Sequence, residues 1–192
     1  MKNLSGIALC AFICFGMTGC NESSSSGSSQ NKSVETYYTK YNFHYTVEKS
    51  EIRGSVANWT QVPDHKILPY GSEVKVKKGG HGFYLTDVKS GTKINVYSKS
   101  KFLAHMDMKE YWNTILSETS VVYPDLSKAD RKGIEDGRAY EGMSKKGVMI
   151  ALGYPCPHRT PSPDSNVWTY WENRYGNYTV SFSNDVVLTS GY

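Results

Sequence analysis

The segment KILPYGSEVKVKKGGHGFYLTDVKSGTKINVYS, residues 66–98, constrains the fold more than any other stretch of this chain. Val74 and Val76 alternate with Glu73, Lys75 and Lys77, so an extended strand there has one apolar face and one charged face. KGGHG reads as a turn and FYLTDV as a second strand. KSGT is a second turn, and KINVYS a third strand with Ile94 and Val96 inward. Short strands at this spacing predict a small barrel or curled sheet. The preceding VETYYTKYNFHYTV is dense in Tyr, Phe, Val and Thr and carries the β reading back to residue 34.

Helical signals follow. Asp107 caps MKEYWNTILSE, where Met108, Tyr111, Trp112, Ile115 and Leu116 share one apolar face. Ser127 with Asp130 forms a capping box with the shorter acid and starts KADRKGIED, which Gly137 closes. Ser144 caps a further helix with Val148, Ile150, Ala151 and Leu152 on its buried side. Gly153 allows a left-handed exit and Pro155 prevents continuation. NVWTYWENR reads as a strand and YTVSFSNDVVLTS as a hairpin turning at Ser183, Asn184 and Asp185. The expected fold class is α+β. A small β-barrel-like module (34–104) and a connecting helix (105–124) precede a two-helix, three-stranded antiparallel ααβββ domain (125–192).

Two stretches resemble known families. ILPYGSEVKV is similar to the opening of bacterial Src-homology-3-like barrels. Gly142, Met143, Ser144, Leu152, Gly153, Pro155, Trp168, Tyr170, Val180 and Phe182 together resemble the BamE (SmpA/OmlA) lipoprotein domain over residues 125–190. That resemblance implies two helices packed on a three-stranded antiparallel sheet. It also implies a scaffold role, since the family's namesake is an accessory part of the outer-membrane barrel assembly machine. The namesake has no barrel-like domain in front and its loop lacks PCPHRTPSPDSN, so fold transfers more readily than membership of that machine. Such folds also resemble some β-lactamase inhibitor proteins, which places enzyme inhibition among the binding options.

The N-terminal residues set the compartment. Lys2, an apolar run over residues 4–15 and the small residues Gly16, Thr18 and Gly19 have the build of a secretory signal peptide over 1–19. MTGC resembles a bacterial lipobox, with Met17 where an aliphatic residue is usual. The resemblance implies that Cys20 carries a thioether-linked diacylglycerol and becomes the first mature residue. Its acyl chains would hold the protein to a bilayer at about 0.8 kcal/mol per buried CH₂. The alternative is an ordinary signal peptide cut nearby, with Cys20 a passive thiol. Asn21 is not the Asp that retains such lipoproteins in an inner membrane, so the outer membrane is expected where a cell has two. Residues 20–33 are Ser-rich and read as a flexible tether. No second apolar stretch is long enough to cross a membrane.

The formal charge is +4, and losing Lys2 with the signal leaves +3 (4 − 1). The basic residues are dispersed, with KVKK the one tight cluster, so nucleic-acid binding is not indicated. Of four cysteines, Cys10 and Cys14 leave with the signal and Cys20 takes the lipid. Cys156 is then the one thiol of the folded part, which excludes an internal disulfide or a cysteine zinc cluster.

Residues 153–171, GYPCPHRTPSPDSNVWTYW, carry the most chemistry. Cys156 and His158, two apart in an extended segment, project to one side and form a candidate thiol–imidazole pair. Pro157 fixes the backbone between them, and no third group orients the imidazole. One thiol and one imidazole also supply only two of the four ligands of a closed zinc site, and His44, His65, His81 and His105 are scattered. In the structural reading, Pro155, Pro157, Pro161 and Pro163 stiffen a crossover and Cys156 packs as a small hydrophobe. In the binding reading, His158 and Arg159 beside Trp168, Tyr170 and Trp171 form a preorganised partner-binding patch. We expect no catalytic residue, metal or cofactor. The leading reading is a lipid-anchored, non-enzymatic envelope scaffold that binds a protein partner in outer-membrane assembly or maintenance. The alternatives are a peptidoglycan-binding module and a thiol hydrolase using Cys156 and His158.

Overall fold

A computed structural model of the chain describes residues 35–60, 65–104 and 106–191. The expected signal peptide, Cys20 and the Ser-rich tether lie outside the described residues, as does His105. The alternating segments form strands: β1 (Thr36–Thr39), β2 (Phe43–Glu48), β3 (Glu51–Ser55), β4 (His65–Leu68), β5 (Glu73–Gly79), β6 (Gly82–Asp87) and β7 (Lys93–Tyr97). Two helices follow, α1 (Ser100–Leu103) and α2 (Met108–Ile115), then a two-residue strand β8 (Leu116–Ser117). The remainder forms α3 (Lys128–Asp136), α4 (Lys145–Leu152), β9 (Val167–Trp171), β10 (Asn177–Ser183) and β11 (Val186–Ser190).

The first eight strands make one curled mixed sheet in the order β4-β2-β3-β7-β6-β5-β1-β8. All its pairs are antiparallel except β3 with β7. Val74, Phe83, Leu85, Ile94 and Val96 point inward and are fully buried, as the alternation requires. Gly82 closes the β5–β6 hairpin; a Cβ there would lie 2.0 Å from the Val96 carbonyl oxygen, so only glycine fits. Phe102, Leu103, Tyr111 and Ile115, from α1 and α2, complete this core. A second core joins α3 and α4 to the antiparallel sheet β11-β10-β9 through Met143, Val148, Ile150, Leu152, Trp168, Tyr170, Val180 and Phe182.

Local stop and start signals act where the sequence places them. Asp107 and Glu110 complete a capping box at α2, and Ser127 and Asp130 another at α3. Gly137 ends α3 in the left-handed conformation. Asn184 and Asp185 both have positive φ, the geometry of a two-residue hairpin turn.

The expected α+β architecture, a barrel-like module followed by a separate ααβββ domain, is overturned. The chain is mostly β, and its two sheets belong to one compact unit, Ser33–Tyr192. Two physical reasons account for this. The large sheet does not end with β7: β8, beyond α2, pairs with β1 (Tyr38 with Ser117, Thr39 with Leu116) and leaves the sheet open. In addition, the last carbonyls of α4, which the helix cannot satisfy itself, are bonded by the large sheet. The Asn42 amide donates to Ile150 O (2.8 Å), Asn58 Nδ2 to Leu152 O (2.6 Å), and the His44 ring meets Ala151 O (2.8 Å). Asn42 Nδ2 reaches Ile134 O of α3 (2.7 Å), and the Thr60 amide reaches Trp171 O of β9 (3.0 Å). These bonds tie α3, α4 and β9 to the segments of the large sheet, and neither set satisfies the groups alone.

Candidate functional site

The Pro-rich loop is sealed onto the fold. Cys156 O accepts from the amides of Arg159 and Thr160 (2.9 Å each), so the chain turns there and does not run extended. Thr160 Oγ1 takes the Thr169 amide (2.9 Å), and Pro163 O takes the Trp168 indole N–H (3.0 Å). Cys156 is buried, with its sulfur 3.9 Å from Phe102 O. Burial pushes its thiol up to about 12, although Trp171 and Arg159 pull the other way, so little thiolate forms near neutrality. The His158 ring stacks on Trp171 (5.8 Å between centroids) and tilts against Phe102 (5.2 Å). Burial and then Arg159 hold its pKa below the usual histidine value.

The three rings expected in the partner-binding patch are buried. Trp168 and Tyr170 are each 1 % exposed beneath the helices, and Trp171 is 9 % exposed in the other core. Alternation does send the rings to opposite faces, but both faces are covered. Of the five residues assigned to partner binding, Arg159 is exposed and His158 half-buried.

A cleft of about 570 Å³ lies instead where the large sheet meets the β9–β10 turn. β3 supplies Glu51 and Arg53, and β7 supplies Asn95 and Tyr97. Lys99 and Lys101 come from the start of α1, Trp59 from the segment after β3, and Arg174 and Tyr175 from the β9–β10 turn. The acidic groups are already engaged. Arg53 holds Glu51 at 2.6 Å and Glu48 at 3.2 Å, and Asn95 donates to Glu51 at 3.0 Å. The bond from Arg53, then that from Asn95, keeps the Glu51 carboxyl below its ordinary range. Lys99, Lys101 and Arg174 make no ion pair with a described residue; they sit over the rings of Tyr97 (5.8 Å), Phe102 (5.0 Å) and Tyr175 (5.0 Å). The Trp59 indole N–H is buried without an acceptor.

A second concentration of titratable groups is an imidazole pair. His44 Nδ1 lies 2.5 Å from His65 Nε2, with the rings stacked at 4.7 Å. Because His44 Nε2 faces a carbonyl, it must carry the proton, and Nδ1 then accepts from His65. Burial, then His65, lowers the His44 pKa to about 3. Both histidines look scattered in the sequence; the diagonal register of β2 and β4 joins them. The cleft is equally invisible along the chain, because Lys99 and Lys101 lie more than seventy positions before Arg174. Among the described residues there is no group of three His, Cys, Asp or Glu placed to hold a metal. Comparisons with protein-family models, curated proteins and solved structures return no match for this chain.

Proposed function

We propose that this chain is a lipid-anchored, non-enzymatic envelope protein that holds a ligand and does not transform it. The observation that carries this reading is the cleft: a preformed concavity whose acids are internally paired and whose cations and rings remain available. Such a surface suits binding, in which anchors held in place before contact lose little entropy. The thiol-hydrolase alternative is weakened by Cys156, whose burial disfavours the thiolate it would need. The lipid anchor rests on the lipobox resemblance around Cys20, and the outer membrane on Asn21. Of the two kinds of occupant, a partner protein and the wall polymer, the chemistry of the cleft favours the polymer.

Metabolic labelling with palmitate tests the anchored part. The full chain should take up label and sediment with membranes, and Cys20→Ala should do neither. Equal labelling of Cys20→Ala would overturn the anchor.

A further inference from the structure

We infer that the cleft between β3, β7 and the β9–β10 turn binds an acidic glycopeptide, with a sugar face laid on the rim tyrosines and the carboxylates of its short peptide stem held by Lys99, Lys101 and Arg174. This rests on the envelope reading for its source of ligand, but its chemistry stands on the cleft alone.

The polar inventory points to an acceptor-rich ligand. Lys99, Lys101 and Arg174 offer only donors. The two carboxylates of the lining share the Arg53 guanidinium, and with Lys99, Lys101 and Arg174 the lining carries a net charge of +2 (4 − 2). An anion entering here meets cations that are held by ring faces and by no carboxylate. Charge-assisted bonds of this kind are the strong ones.

The rings select the rest of the ligand. Tyr97 is 43 % exposed and Tyr175 82 %, so each keeps ring surface open to water beside the cation that lies over it. Tyr175 is not loosely held: Asn173 Oδ1 accepts from the amides of Tyr175 (2.8 Å) and Gly176 (3.0 Å), and the Glu172 amide donates to Gly176 O (3.0 Å). A pyranose has a flat C–H face that matches such a ring and a hydroxyl periphery that matches the donors around it.

A bare peptide fits less well. The strands under the cleft are internal, with β3 between β2 and β7 and β7 between β3 and β6, so no free backbone edge exists for a peptide to extend. The volume is that of a small-ligand site.

The test is calorimetric titration of the detergent-solubilised full chain with four probes. These are a disaccharide-tetrapeptide muropeptide, the same compound with its carboxyls amidated, neutral chitotetraose, and a tetrapeptide of equal charge. Vesicles bearing a phosphorylated glycolipid form a separate arm. The acidic muropeptide should bind, and amidation should weaken it at least about tenfold, as should Lys99→Glu with Lys101→Glu, or Tyr175→Ala alone. Lys128→Ala, exposed and outside the cleft lining, should leave the affinity unchanged. Binding of the glycolipid alone would overturn the glycopeptide and move the source from the wall to a lipid headgroup. Equal binding of chitotetraose, equal binding of the bare peptide, or affinity indifferent to the cleft variants would each overturn the inference. Failure of palmitate labelling with muropeptide binding intact would remove the anchored reading alone; labelling without muropeptide binding would remove this inference alone.

Discussion

Acid should destabilise this fold through one buried imidazole. His44 sits between β2 and α4 with its Nε2–H on Ala151 O and its Nδ1 accepting from His65. A proton added at Nδ1 would set two N–H groups against each other at 2.5 Å on a buried ring. Burial is the main cause of the depressed pKa, His65 adds to it, and the Ala151 carbonyl partly opposes it. His65, half-buried and also depressed, faces the charge of Arg138, which discourages a second proton nearby.

The folded pKa of about 3 lies below the unfolded value of 6.5, so the unfolded chain takes up the proton first as pH falls. The contribution is therefore complete above pH 6.5 and is lost as pH falls from there towards 3. At pH 5 the unfolded chain gains roughly 1.5 pH units of advantage, worth about 2 kcal/mol. Urea unfolding at pH 7 and pH 5 measures this directly. His44→Gln should be less stable at pH 7, because it disturbs a buried bond network, by about 1–3 kcal/mol. It should also lose much less stability than the parent between pH 7 and pH 5. An identical loss in both proteins would refute the reasoning, because other groups would then carry the acid sensitivity.

Two more outcomes follow from the packing. In Gly147→Ala the new Cβ would lie 1.9 Å from Asp130 Oδ1, the oxygen that takes the Ser144 amide at 2.8 Å. Displacing that carboxylate should cost about 2–4 kcal/mol in denaturant unfolding, and a loss within error of zero would contradict the close contact. Cys156 should react with a thiol reagent only as fast as the protein opens, so its labelling should rise steeply with urea. Prompt modification at Cys156 in the native protein, located by peptide mapping, would contradict its burial.

Short-range features of the fold were readable in the residues. Capping at Asp107 and Ser127, the exit at Gly137 and the turn at Asn184 and Asp185 each depend on neighbours within a few positions. The alternation over β5, β6 and β7 likewise needs no distant partner. What escaped depends on residues far apart. Asn58 closes the end of α4 from 94 positions away and His44 from 107, and nothing local marks either as other than a surface polar residue. The same distance hides β8, whose two residues pair with a strand more than seventy positions earlier. Trp168, Tyr170 and Trp171 misled for a different reason: period-two alternation gives the face of each ring but not what covers it. Lys99, Lys101, Arg174 and Tyr175 read as ordinary solvated residues until the fold gathers them around Trp59.

The most direct test of the binding account is NMR of the full chain in detergent micelles during titration with the acidic muropeptide. The Trp59 indole N–H, buried and without an acceptor, should shift together with the amides of Gly54, Asn95 and Tyr97, while the Trp168 indole, already bonded to Pro163 O, should not move. Shifts confined to the exposed Val186 and Leu188 on β11, or no shifts at saturating ligand, would contradict it.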